Sequence, residues 1–379
     1  MPHRALVAAG VLSVVSLLAI PFPGTIDVRQ FWVPWTATLL ELGLTRGYAE
    51  IADYPPLASV MLWLVGQFAV ALGLSFHLAF KLSLWLGLSI CLVAFASTTD
   101  DTLATVLLWA TLALNSVALG YLDGYWAPAA LIGIWALLKQ RHGLAFTSFL
   151  VASFVKWQTL AIWPALVLYL VQHWWLFPAG RRTWSVTIGA CAAGVGLLIL
   201  VFGPLNVWHA FQIGLSHQRP SANALNLGWV LQPFFSDQAV LTRALKMGYL
   251  IFVVRVLWVH SAHTLPDPVR TLQIGFVLTM GHVVLNGGAH ENHWYLSSLL
   301  ATCLATVTRS WIPVAVAVAV IGNMNLVLFY GVRGDPVTVP AMVLWFGAVG
   351  VVATTVYFAI AYFHNIALTS PHLKTLSNR

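Results

Sequence analysis

Long apolar runs separated by short polar turns set the pattern of this chain. The runs fall at about 5–22, 80–97, 103–121, 124–138, 144–156, 158–172, 184–203, 241–260, 269–287, 294–308, 311–330 and 339–363. Most are roughly 15–25 residues long, which suits helices crossing a hydrocarbon core about 30 Å thick. They lack the apolar/polar alternation of a membrane β-barrel. The pattern predicts an all-α, polytopic membrane protein of about twelve transmembrane helices. A further apolar segment at 57–74 follows the word Asp53-Tyr54-Pro55-Pro56-Leu57.

Two polar stretches are longer than turns, 23–56 and 204–240. The first gathers Asp27, Arg29, Glu41, Arg46, Glu50 and Asp53, a large share of the scarce charges. Basic residues fix an orientation, because Lys and Arg concentrate in cytoplasmic loops. Lys139, Arg141 and His142 mark one such loop, Arg181 and Arg182 a second, His260, His263 and Arg270 a third, Arg309 a fourth, and Lys374 and Arg379 the C-terminus. The outward loops are then 23–56, 121–124, the surroundings of Lys156, 204–240, 287–293 and 331–338, with both termini inside. A full crossing by 57–74 would invert every later loop, so this segment is expected to dip in and return or to lie shallow. The first run follows His3 and Arg4 and reads as an uncleaved signal anchor. No fixed-period repeat or linker divides residues 1–379, which read as a single membrane domain.

Composition sharpens this picture. The chain has 379 residues, 60% hydrophobic and 8% charged, against roughly 25% charged in soluble domains. Eighteen Trp, many near segment ends, fit interfacial belts. The net charge of +7 follows from topology and is not a nucleic-acid signal. Cys91, Cys191 and Cys303 lie inside apolar runs as small core residues.

Charged groups near a bilayer are costly and usually functional. Asp27 reads either as a helix cap or partner for Arg29, or as a carboxylate working at the membrane surface. Asp53-Tyr54-Pro55-Pro56-Leu57 reads as a stiff, Asp-capped helix start, since proline is tolerated in a first turn; this leaves Tyr54 open. In Gly120-Tyr121-Leu122-Asp123-Gly124-Tyr125-Trp126 a hairpin explains the glycines, while an Asp among aromatics suits a sugar or headgroup contact. Lys156, in Lys156-Trp157-Gln158, has no acidic neighbour in sequence; it reads as a snorkelling Lys or, on the outer face, as a ligand for an anion such as phosphate. Arg219 reads as an interfacial anchor or a bidentate phosphate ligand. His290-Glu291-Asn292-His293 invites a zinc reading, but the zincin spacing puts its two His four apart, whereas here they are three apart; hydrogen bonding to phosphate or sugar is expected instead.

Taken in order, an Asp after the first span, a downstream Asp53-Tyr54-Pro55-Pro56-Leu57, an Asp-bearing Gly turn, a Lys-x-Gln and a late His-Glu resemble the membrane-embedded GT-C glycosyltransferases. The likeness covers about residues 20–300. The nearest branches are bacterial polyprenyl-phosphate-mannose-dependent mannosyltransferases and the dolichyl-phosphate-glucose-dependent glucosyltransferases. The resemblance implies that Asp27 is the general base. It places Lys156, Arg219 and His290 around the donor phosphate, and Arg29, Asp53, Tyr54, Asp123, Gln158, Glu291 and His293 among the substrate contacts. Arg29 stands where the family often has a second acidic residue.

The implied activity is inverting transfer of a mannose or glucose from a polyprenyl-phosphate donor to an acceptor hydroxyl, on a lipid-linked or other glycan, at the outer membrane surface. The donor is a substrate; no cofactor and no metal is implied. The partners are then the donor, the acceptor and membrane lipids. A bacterial plasma membrane is the expected location, since the chain is short for a eukaryotic member, where the membrane would be that of the endoplasmic reticulum. A transporter or flippase, and an O-antigen polymerase or ligase using diphosphate-linked donors, are the competing readings.

Overall fold

The structure is a computed structural model that describes residues 3–177, 181–216, 219–261 and 265–369. His217, Gln218, His263, Lys374 and Arg379, named above, lie outside the described residues. The fold is all-α: 84% of the chain is helical, and no strand occurs among the described residues. Among the described residues six helices are long and apolar enough to cross a membrane: Phe76–Thr99, Trp157–Leu176, Arg181–Phe202, Pro268–Leu285, Arg309–Tyr330 and Ala341–Tyr362. Arg4–Ala19, Pro56–Leu72, Thr102–Ala118 and His142–Val155 are apolar but shorter. This architecture is compatible with a multi-pass membrane protein.

The helices run α1 (His3–Ser16), α2 (Val33–Leu42), α3 (Leu44–Ile51), α4 (Pro56–Leu72), α5 (Phe76–Thr99), α6 (Thr102–Leu112), α7 (Asp123–Leu138), α8 (His142–Val155), α9 (Trp163–Leu176), α10 (Arg181–Phe202), α11 (Pro204–Ser216), α12 (Leu227–Leu231), α13 (Gln238–Ser261), α14 (Pro268–Leu285), α15 (Trp294–Val307), α16 (Ile312–Tyr330) and α17 (Ala341–Thr369). Helix α15 is enclosed along almost its whole length and packs on α14, α16 and α6. Apolar side chains on α10, such as Leu200 at 80% exposure, face outward. That is the arrangement a bilayer permits and water penalises.

Charged and polar groups separate to two ends. At one end Asp101 caps α6 by accepting from the Ala104 amide at 3.1 Å and takes Arg309 Nη1 at 2.5 Å. At the other end meet the segment after α1, the start of α7, the end of α8 and the turn before α15. The loop after α1 lies directly on the turn after α6, where the Thr25 amide donates to the Leu119 carbonyl at 2.8 Å. Gly24 and Gly120, both at φ +76°, permit this contact. A Cβ on Gly24 would stand 2.9 Å from the Leu119 oxygen, and one on Gly120 would stand 2.6 Å from Val28 Cγ2.

The two long polar stretches are helical rather than loop-like. Residues 23–56 hold a π-helical turn, Val28–Trp32, then α2 and α3; residues 204–240 hold α11 and α12. Within segment 57–74, α4 runs unbroken from Pro56 to Leu72, so the segment does not dip and return. Both ends of α4 meet the loop that follows α1. Tyr54 packs edge-on against Trp32 at its start, and His77, just beyond its end, hydrogen-bonds the backbone of Phe22. A helix whose two ends touch one loop lies along that end of the bundle. Pro55, not Asp53, occupies the N-cap of α4, so the expected Asp cap is not made.

Candidate functional site

Asp123 is the centre around which the site is built. It opens α7, where unpaired amides and the helix dipole favour an anion, and it is fully buried. Its Oδ1 accepts from Trp126 Nε1 at 2.8 Å, Gln158 Nε2 at 2.8 Å and Lys156 Nζ at 3.1 Å. Its Oδ2 accepts from Lys156 Nζ at 3.0 Å and Asn292 Nδ2 at 3.1 Å. Every lone pair of this carboxylate is occupied by protein. Asp123 therefore organises its neighbours, and the expected sugar or headgroup contact is not its role in this arrangement.

Lys156 corrects an expectation in the same way. It has no acidic neighbour in sequence, but α7 and α8 form a hairpin that returns it to Asp123 as a buried ion pair. Its ammonium also lies 5.9 Å from the centre of the Tyr121 ring. It is not a lone cation waiting for an anion. Nearby, Tyr121 donates a short hydrogen bond to Glu291 Oε1, leaving Oε2 buried and unpartnered among the described residues. Desolvation pushes the Glu291 carboxyl up to about 7.

Asp27 sits at the edge of this group. It is half-buried, caps no helix with its side chain, and makes no hydrogen bond or ion pair among the described residues. Arg29, two residues on, is exposed and does not pair with it. Both plainer readings of Asp27 thus fail. Burial raises its carboxyl to about 6; the Lys156 charge pulls down against this and the Asp123 charge pushes further up. Tyr54 faces the same group. Burial, then the charges of Asp27, Asp123, Glu291 and Asp53, hold its phenol well above the usual tyrosine range.

The second polar stretch reaches the site through backbone. The Ala222 amide donates to the Ala289 carbonyl at 2.9 Å. Asn325, fully buried on α16, accepts from the Leu225 amide at 2.7 Å and donates to the carbonyls of Asn223 at 3.1 Å and Glu291 at 3.2 Å. Behind the site, Lys81 is buried on α5 and donates to the Val117 and Ala118 carbonyls, which the π-helical end of α6 leaves open.

The structure brings together Asp27, Tyr54, Asp123, Lys156, Gln158 and Glu291. It leaves others aside. Arg219 is exposed and makes no hydrogen bond or ion pair among the described residues. His290 and His293 cap the turn before α15 reciprocally, each side chain accepting from the other's backbone amide. Asp53 is half-buried, and burial raises its carboxyl against the opposing pull of His209 on α11. Sequence reasoning did not select Asn292, Asn325 or Lys81. For Asn325 and Lys81 the signal was present, a polar residue inside an otherwise apolar run. Among the described residues no three His, Cys, Asp or Glu groups are placed to hold a metal ion. No family model and no curated protein matches the chain.

Proposed function

We propose that the chain is a membrane-embedded glycosyltransferase of the GT-C type. It moves a hexose from a polyprenyl-phosphate donor to an acceptor hydroxyl, with inversion, at the outer face of the membrane. The observation that carries this reading is a free, half-buried carboxylate, Asp27, held beside a saturated ion pair by segments from widely separated parts of the chain. The twelve-span topology follows if α4 lies along the outer face and the six long apolar helices, with α1, α6, α7, α8, α13 and α15, cross.

Asp27 takes the proton of the acceptor hydroxyl as its oxygen bonds to the anomeric carbon. The bond from that carbon to the phosphate oxygen breaks, and the electron pair leaves with the polyprenyl phosphate. A single base on the face opposite the leaving group gives inversion. Lys156 acts in this scheme mainly on Asp27, favouring its ionised form across the Asp123 pair, since its charge lowers the Asp27 carboxyl. Tyr54 brings a phenol to the same place, where it can donate to a phosphate or sugar oxygen; the Tyr121 proton is already given to Glu291. Arg219 joins the phosphate only if the stretch carrying it closes over the donor.

The test is transfer of labelled hexose from a short-chain polyprenyl phosphate by the full chain in lipid nanodiscs. Asp27→Asn is expected to lower the rate by roughly 10²–10⁴-fold, the contribution of a positioned base, while leaving the protein folded. An unchanged rate in that variant would remove Asp27 as the base. Use of diphosphate-linked donors alone would favour a polymerase or ligase, and sugar movement without covalent transfer would favour a transporter.

A further inference from the structure

Beside Asp27 stands a wall of four aromatic rings, three of which, Phe31, Trp32 and Trp35, the transfer chemistry leaves unused. Phe31 and Trp35 follow Asp27 at intervals of four and so continue along one face of the helical segment. Their ring centres lie 5.5 Å apart. Trp35 meets Tyr54 at 5.8 Å, and Trp32 lies against Trp35 and Tyr54, each at 5.2 Å. Two of the rings are anchored: Trp32 Nε1 donates to the Gly120 carbonyl at 3.2 Å, and the Tyr54 carbonyl accepts from the Tyr48 hydroxyl at 3.0 Å. Trp32 is buried, whereas Trp35 and Tyr54 are half-buried and Phe31 is exposed. The wall therefore has a fixed back and an open front.

A plain interfacial belt would hold rings that meet only lipid. These rings differ because the wall ends in acids: the Tyr54 phenol lies in the electrostatic field of Asp27, Asp123 and Glu291. A hydrocarbon chain has no use for that edge. A pyranose ring matches both parts, since one face presents C–H groups to an aromatic surface while its rim carries hydroxyls for carboxylate and phenol.

On the reading of the site given above, we infer that this wall is the acceptor subsite. The acceptor is then itself a sugar, whose ring stacks on Trp35 and Tyr54 with one hydroxyl presented to Asp27. A protein side chain or a lipid alcohol would not fill it. Trp35 and Phe31 set acceptor specificity, and Asp27 does the chemistry.

Saturation-transfer NMR on the full chain in nanodiscs tests this without needing the true acceptor. The probes are methyl α-D-mannopyranoside and methyl α-D-glucopyranoside, with open-chain sorbitol and empty nanodiscs as controls. The expected result is transfer to the ring C–H protons of a glycoside, little to sorbitol, and about a fivefold loss in Trp35→Leu, in line with the energy of an aromatic contact. Phe31→Leu, at an exposed position, should weaken the signal less and guards against misfolding of the Trp35 variant. No transfer to either glycoside with folded wild type, equal transfer to sorbitol, or an undiminished signal in both wall variants would overturn the inference. Failure of the two readings can be told apart. Glycoside binding at the wall without hexose transfer from any donor removes the enzyme reading alone. Normal transfer to a sugar acceptor by Trp35→Leu removes the wall alone.

Discussion

Removing both members of the buried pair Asp123–Lys156 should cost clearly less than the two single removals added together. The two side chains are 0% and 7% exposed, with Nζ and Oδ2 3.0 Å apart. At an effective dielectric constant of about 20 their attraction is roughly 5 kcal/mol, most of it offset by the cost of burying the two charges. Lys156→Met keeps the length of the side chain and leaves Asp123 with Trp126, Gln158 and Asn292 as donors. That variant should lose about 3 kcal/mol, the lower end for breaking a buried pair. Asp123→Leu is worse, because it strands a buried ammonium together with those donors; about 5 kcal/mol is expected. The double variant strands the neutral donors but no charge, so its loss should fall about 3 kcal/mol short of the sum. Reversible unfolding in mixed micelles with increasing dodecyl sulfate, followed by circular dichroism, measures all four corners of the cycle. Additivity to within about 0.5 kcal/mol would refute the reasoning, since it would mean that the two charges do not sense one another in the folded protein.

On the proposed function, the same charges set the pH dependence of activity. With the Asp27 carboxyl raised to about 6 and needed in its ionised form, kcat/KM should fall about tenfold per pH unit below that value and level off above it. Lys156→Met should move this acid limb to higher pH, and an unmoved limb in a pH–rate profile would separate Lys156 from Asp27. Stability should run the opposite way. Asp27 and Glu291 both have folded-state values above those of the unfolded chain, so the native state binds more protons and stability falls as pH rises from about 4 to about 7. Glu291→Gln should flatten that slope in unfolding experiments; an unchanged slope would show that Glu291 does not titrate in this range. Asn325→Leu breaks three hydrogen bonds to buried backbone and should cost about 3 kcal/mol, read as a fall in thermal midpoint; a negligible change would show that the turn at Glu291 is held by other contacts.

What the sequence displayed was the membrane habit and the words of the site; what it hid was their pairing. Apolar runs of helical length are a local property, so α5, α9, α10, α14, α16 and α17 could be seen directly. The stiff start of α4 was visible in its prolines. Partners are not local. Lys156 lies 33 residues from Asp123, and Tyr121 lies 170 residues from Glu291, so a Lys that looked unpaired and a Glu that looked like a ligand were both already engaged. Polar helices within 23–56 and 204–240 were hidden for a related reason: they lie among charges, and a search for continuous apolar runs passes over them.

The pairing also explains why one acid stands out. A buried carboxylate demands donors, and the chain meets this demand unevenly. Asp123 receives five hydrogen bonds from four side chains, Glu291 receives the Tyr121 hydroxyl on one oxygen, and Asp101 is spent on capping α6 and pairing with Arg309. Asp27 is given a rigid seat by Gly24 and Gly120 but no donor. An anion held in place and left unsolvated by protein costs folding free energy, and such a cost is tolerated where the missing partner arrives with the substrate. Removing the charge that needs that partner should therefore stabilise the protein while abolishing the proposed chemistry. Asp27→Asn removes the charge at nearly constant volume, and at pH 8 it should raise resistance to unfolding while transfer is lost. A variant that is both inactive and less stable would mean that the carboxylate has a structural partner after all, and would return Asp27 to the plainer role of holding the segment after α1 in place.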